Sequence, residues 1–280
     1  MKNMTTKYKL VVSDLDGTLL SNFHVPNLNK SSIQRIREKG IKFCIATGRT
    51  IQSTKNILKE IGTYNEENEY SILFNGCVII ENKNNKVLFF KGIDFEISNK
   101  LFEIGKKYDV MLLVYSIDNC YVWKSYEKEI ERQKSYEELL TFMDDLNINF
   151  IKEKNIKITK IVFVNEDHNY LLKIKEELDK IFGNEISIST SANMYLEINA
   201  NNVNKGNALE WLANYLKIDM KETIAIGDNS NDIFMIEKAG IGVCVKNGID
   251  IIKNKANYVT EKTNDEGAVK EVLDKFVLGE

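Results

Sequence analysis

Apolar residues in this chain come in short runs, and each run breaks into a polar, glycine-bearing loop. Leu10-Val11-Val12 opens the series and reaches Asp14 through a single intervening residue, Ser13. A short apolar run bounded by turn residues reads as a strand buried on both faces. The first third predicts a strand over 10–13 and a helix over 31–39, capped by serine and ended by Gly40. A strand over 41–46, a helix over 50–61 ended by Gly62, and a third strand over 71–74 follow. The last third repeats the alternation. Leu209, Leu212, Ala213 and Leu216 form a helical stripe over 207–216. Strands over 223–226, 241–245 and 258–260 alternate with helices over 233–239, 249–255 and 266–277. Strand–helix–strand alternation implies right-handed crossovers and a parallel sheet.

The middle of the chain carries a different pattern. Strands are expected over 87–90, 110–115, 121–123, 158–164, 186–190 and 195–198, with helices over 95–108, 136–146 and 170–182. Aromatic residues and alternating polarity fit a sheet with one wet face. The fold class expected is α/β: a Rossmann-like, doubly wound parallel-sheet core over 1–82 and 202–280. An α+β domain over 83–201 is inserted into it. The joints are polar, at 81–85 and 199–202.

Composition narrows the function classes. The chain has 280 residues, 43% of them hydrophobic and 28% charged, which is the profile of a globular protein with a substantial core. A net charge of −3 does not favour nucleic acid as a partner. The polar opening reads as no signal peptide, and no apolar run approaches a membrane span. Cys44, Cys77, Cys120 and Cys244 are scattered, mostly inside apolar runs, so they are expected as core residues of a reducing, cytoplasmic compartment. With no CxxC and only His24 and His168, a zinc site is not expected.

Four motifs sit where predicted strands end. Asp14-Leu15-Asp16-Gly17-Thr18-Leu19 places two carboxylates two residues apart. Asp-Gly and Gly-Thr are also ordinary turn chemistry, but paired acids there repel unless a cation or a shared proton relieves them. Ala46-Thr47-Gly48-Arg49 offers a hydroxyl and backbone N–H groups at a helix start, either an anion cradle or a plain capped turn. Asn204-Lys205-Gly206 precedes a helix and supplies one cation. Gly227-Asp228-Asn229-Ser230-Asn231-Asp232 crowds two acids and two amides into one loop. Such hard oxygen ligands suit Mg²⁺, and the EF-hand spacing is absent.

Together these motifs resemble the haloacid dehalogenase-like phosphohydrolases, and more narrowly their Cof-type branch, which carries a large α/β cap after the third core strand. The resemblance extends through Phe74-Asn75-Gly76, Ala239-Gly240-Ile241-Gly242-Val243 and Tyr258-Val259-Thr260, and covers nearly the whole chain. It implies that Asp14 attacks phosphorus and that Asp16 is the general acid and base. Asp14, the backbone carbonyl of Asp16, and Asp228 would hold Mg²⁺. Thr47, Gly48, Lys205 and Asn231 would bind the phosphoryl group. Thr18 and Asp232 would stand behind these groups, Asp232 fixing Lys205 or a metal-bound water. The substrate class implied is a small phosphorylated metabolite: sugar phosphates first, then phosphorylated cofactors such as pyridoxal phosphate or flavin mononucleotide. A phosphosugar mutase and a non-catalytic sugar-phosphate sensor are the alternatives. No membrane or protein partner is implied.

Overall fold

The computed structural model describes residues 7–143 and 147–280. The chain runs β1 (Leu10–Ser13), α1 (Asn27–Glu38), β2 (Lys42–Ala46), α2 (Ile51–Glu60), β3 (Tyr70–Leu73), β4 (Val78–Glu81) and β5 (Lys86–Phe90). It continues with α3 (Phe95–Gly105), β6 (Met111–Ser116), β7 (Cys120–Trp123), α4 (Glu127–Ser135), β8 (Leu140–Phe142) and α5 (Asn149–Glu153). Next come β9 (Ile158–Val164), α6 (His168–Phe182), β10 (Ile186–Ser191) and β11 (Tyr195–Ala200). It closes with α7 (Lys205–Tyr215), β12 (Thr223–Gly227), α8 (Ile233–Lys238), β13 (Ile241–Cys244), α9 (Asp250–Lys253), β14 (Tyr258–Val259) and α10 (Ala268–Leu273). Two compact units result: Met1–Arg49, Thr54–Phe89 and Asn204–Glu280 form the first, and Thr50–Ser53 with Phe90–Val203 the second.

The first unit is an α/β core on an eight-stranded sheet, ordered β14-β13-β12-β1-β2-β3-β4-β5. From β14 to β3 every pairing is parallel, and β3–β4 is antiparallel. The register Ser13↔Ile226 and Ser13↔Ile45 brings β1, β12 and β2 to their carboxyl ends together. All four residues of β1 are buried, as the apolar run Leu10-Val11-Val12 requires, and Ser13 is buried with them. On one face Leu10, Val12, Cys44, Ala46, Ile72 and Ala225 pack with Leu209 and Leu212 of α7 and Met235 and Ile236 of α8. Each fully buried aliphatic chain contributes about 1.5–3 kcal/mol. The strand at β5, counted in the sequence with the middle segment, is hydrogen-bonded into this sheet as its edge.

The second unit has its own six-stranded sheet, ordered β10-β11-β9-β6-β7-β8, antiparallel except between β7 and β8. Leu112, Val114, Ile161, Phe163, Leu196 and Ile198 face one way, against Leu101 and Phe102 of α3 and Leu171, Ile174 and Leu178 of α6. The alternate positions are mixed: Met111, Leu113, Val162 and Val164 are apolar and buried, while Lys160 pairs with Glu197 at 3.0 Å and the Tyr115 hydroxyl donates to Gln133 at 2.9 Å.

Strand β4 (Val78–Glu81) and helix α5 (Asn149–Glu153) have no counterpart in the sequence reading, and two helices begin elsewhere than it expects. The helix expected over 136–146 lies upstream as α4, and Leu140–Phe142 is a strand; residues 144–146, like 1–6, lie outside the described residues. Helix α4 is held by acids in its first turn and bases in its last, which complement the helix dipole, so no apolar stripe marks it. Glu137, at φ 59°, then breaks it. Helix α1 starts at Asn27, directly after Pro26, and Ser31 lies inside it. Its buried face includes Asn29 and Ser32, polar residues that hide the amphipathic stripe.

Candidate active site

Asp14 extends the parallel ladder by one residue: its N–H donates to the Ile226 carbonyl at 2.9 Å. The chain then turns tightly, with the Leu15 carbonyl accepting from the N–H groups of Thr18, Leu19 and Leu20. Gly17 enters this turn at φ 81°, and a Cβ there would stand 2.6 Å from Asp228 Oδ2. Only glycine satisfies both the left-handed backbone and that approach. The turn points Thr18 at the β12 loop, where its hydroxyl donates to Asp228 Oδ1 at 2.7 Å.

Lys205, the first residue of α7, is wholly buried. Its Nζ stands 2.5 Å from Asp14 Oδ1 and 2.6 Å from Asp232 Oδ1. The N-terminus of α7 is set by Asn204, whose side chain accepts from the Asn207 N–H at 2.8 Å. Asp232 spends its other oxygen on the N–H groups of Asp228 at 2.9 Å and Asn229 at 3.1 Å. It therefore shapes the loop and anchors the ammonium together. Carboxylate oxygens of Asp14, Asp228 and Asp232 gather within 4.8 Å of one another.

The charges do not balance within the protein. Burial pushes the Asp14 carboxyl well above its ordinary range, against Lys205, and Asp232 and Asp228 push it further. Asp228 is pushed up to about 6, chiefly by burial; the Thr18 hydrogen bond opposes this and Asp232 adds to it. For Lys205 burial acts to lower the pKa, but Asp14 and Asp232 outweigh it, so the ammonium stays charged. Three crowded carboxylates facing one ammonium leave a deficit of positive charge that a hard divalent cation would fill. With Asp232 committed to Lys205 and two N–H groups, Asp14 and Asp228 are the carboxylates with oxygen left to offer such a cation.

The second motif lies beside the first. Thr47 is buried, and its Oγ1 accepts from the Arg49 N–H at 3.1 Å, which leaves the hydroxyl hydrogen to donate outward. Asp16 is exposed and is gripped at both oxygens by the Arg49 guanidinium, at 2.8 and 2.5 Å. Asn231 donates through Nδ2 to Asn75 Oδ1 at 3.1 Å. Thus Asp14, Thr18, Lys205, Asp228 and Asp232 form one bonded cluster, while Asp16 and Asn231 engage residues to which the sequence reading gave no role. Arg49 and Asn75 both stood inside quoted motifs, but nothing in their spacing announced these partners.

The sequence model of one family covers this whole arrangement, matching residues 11–273. The chain is a haloacid dehalogenase-like hydrolase. YxeH of Bacillus subtilis (strain 168) is 30% identical to it over 97% of this chain and 99% of that protein. The 5-amino-6-(5-phospho-D-ribitylamino)uracil phosphatase YcsE of the same strain is 28% identical over 96% of each. Both relatives carry phosphatase in their names. A haloacid dehalogenase-like hydrolase from Bacteroides thetaiotaomicron superposes with a TM-score of 0.85 at 26% identity, over 96% of this chain and 99% of that one. The Thermotoga maritima protein TM0651 superposes with a TM-score of 0.81 at 27% identity, over 96% and 97%. Family membership makes this chain a hydrolase. Among its described residues no helix is long and apolar enough to cross a membrane.

Proposed function

We propose that this hydrolase removes phosphate from small phosphorylated metabolites, with Mg²⁺, through an aspartyl-phosphate on Asp14. The observation that carries the reading is buried Lys205, shared between Asp14 and Asp232 at the exits of β1 and β12 and next to Asp228. A wholly buried ammonium is costly unless its charge has work to do. Here it orients the nucleophile and offsets part of the phosphate's charge.

Asp14 has one oxygen held by Lys205 and turns the other to phosphorus. Attack there splits one hard step into two. Asp16 protonates the departing oxygen, then takes a proton from the water that hydrolyses the aspartyl-phosphate. Because Arg49 holds both Asp16 oxygens, that proton transfer requires the grip to open. Thr47 and Gly48 cradle the phosphoryl oxygens, with Asn231 beside them. Thr18 fixes Asp228, and Asp232 fixes Lys205. Mg²⁺ held by Asp14, the Asp16 carbonyl and Asp228 would draw charge from the phosphoryl group.

Sugar phosphates are the first substrates to test. Phosphorylated cofactors such as pyridoxal phosphate and flavin mononucleotide come next, and the name of YcsE adds phosphorylated ribityl compounds. The test is phosphate release across such a panel with Mg²⁺ present. Release from several of its members supports the reading. Transfer without net phosphate, dependent on a bisphosphate activator, would make the protein a mutase. Binding without any turnover would make it a sensor.

A further inference from the structure

The turn that follows β3 is built at a cost that a plain connection between β3 and β4 does not require. Phe74, Asn75 and Gly76 all take positive φ, at 50°, 55° and 100°. Asparagine and glycine tolerate this backbone, but a buried phenylalanine does not adopt it freely. Such strain persists where the surroundings over-determine it, and it collects at ligand sites.

The surroundings here are the second motif and the start of α7. The Phe74 N–H donates to the Arg49 carbonyl at 3.1 Å, and the Asn75 N–H donates to the Thr47 carbonyl at 2.9 Å. A Cβ on Gly76 would stand 2.5 Å from the Asn204 carbonyl oxygen, so the turn is wedged against the residue that caps α7. The result is a fixed Asn75 side chain. Its amide lies over Gly48, where a Cβ would stand 3.1 Å from both Nδ2 and Oδ1. Oδ1 accepts from Asn231. Nδ2 finds no acceptor among the described residues, and it lies against Gly48, which the proposed function assigns to the phosphoryl oxygens.

We propose that Asn75 is a substrate-binding residue: its Nδ2 donates to a phosphoryl oxygen, while its Oδ1 steers Asn231 toward the same group. This rests on the phosphatase reading above. It explains why Gly48 has no side chain, since the amide fills that space, and why the turn carries strain, since the strain sets the direction of the amide. The phosphoryl group would then meet donors from the exits of β1, β2, β3 and β12.

Binding of inorganic phosphate, with Mg²⁺ present, tests the proposal without turnover. Isothermal titration would compare the wild type with Asn75→Asp and Asn75→Gly. Both replacements tolerate positive φ, and thermal midpoints establish that each is folded. Asn75→Asp keeps the shape and the acceptor for Asn231 but puts a carboxylate where the donor was. Asn75→Gly removes the amide altogether. A hydrogen bond to a charged group predicts a dissociation constant raised roughly tenfold or more in Asn75→Gly, and further in Asn75→Asp. A residue that only fills space gives the opposite order, with the isosteric Asn75→Asp near wild type. That order, affinities unchanged in both variants, or no phosphate binding by the wild type would overturn the proposal. Failure of the phosphatase reading is separable: the wild type would bind phosphate and lose that affinity in the variants, yet release none from any ester.

Discussion

At the scale of single residues, the site turns on which oxygens are already committed. Asp14 gives one oxygen to Lys205, and Asn at this position keeps the shape and loses the nucleophile. Asp14→Asn should abolish turnover while the far-UV spectrum and thermal transition stay those of a folded protein. Substantial steady-state activity in a clean preparation would remove Asp14 from that role. Asp16 reaches no residue of the Lys205 cluster and bonds to Arg49 instead. General acid–base help is typically worth ~10²–10⁴-fold, and Asp16→Asn should lose about that much on alkyl phosphates. The loss should shrink on p-nitrophenyl phosphate, whose leaving group needs no proton. Equal losses on both would refute the acid role. The acids and the lysine were legible in the sequence because their chemistry restricts where they occur. Arg49 and Asn75 were not, because their partners, Asp16 and Asn231, lie 33 and 156 positions away along the chain.

At the scale of elements, the lysine is only as well placed as the helix that carries it. Gly206 is where α7 meets α8: a Cβ there would stand 2.5 Å from both the carbonyl carbon and the oxygen of Phe234. Backbone cannot rotate away as a side-chain tip can. Gly206→Ala should therefore push the two helices apart, at the cost of about 1–3 kcal/mol typical of overpacking. It should also lower kcat, because the displaced turn carries Lys205. A lowered melting temperature with unchanged kcat would uncouple α7 packing from the site, and an unchanged melting temperature would show that the contact relaxes freely. The same contrast explains what the sequence revealed of the elements. The core strands were readable because a strand buried on both faces must be apolar throughout, as Leu10–Ser13 nearly is. Helix α4 escapes hydrophobic patterning because one buried isoleucine, Ile130, anchors an otherwise polar segment whose Glu129 and Gln133 are buried beside it. Helix α1 was shortened because Asn29 and Ser32 are buried in specific polar contacts, including the bond from the Lys270 N–H to Asn29. Hydrophobic patterning registers burial of apolar groups and is blind to burial of satisfied polar ones.

At the scale of the whole molecule, the unbalanced charge of the site couples metal, pH and stability. Asp228 titrates near 3.8 when unfolded and is pushed up to about 6 in the fold. A raised acid binds more protons folded than unfolded, so its stabilisation is full below the unfolded pKa and falls as pH rises toward about 6. Mg²⁺ competes with that proton. In chelator the protein should lose stability across this window, and Mg²⁺ should raise the melting temperature more at about pH 7.5 than at about pH 5. An equal shift at both values, or full activity in excess chelator, would overturn the metal argument. The division into two units sets the last expectation. Every residue given a chemical role here lies in the first unit, and the second has a separate sheet and a separate hydrophobic core. Its contribution to catalysis is therefore sought in the choice of leaving group. Replacing residues 91–203 with a short Gly/Ser linker should leave slow Mg²⁺-dependent hydrolysis of a small generic phosphoester. Discrimination among larger metabolites should collapse, because the contacts that differ between them would be gone. The replacement exposes apolar surface, so a cooperative thermal transition must be seen before any rate is read. If the folded truncation kept the full-length ranking of substrates, specificity would reside in the first unit, and the second would have to be assigned another role.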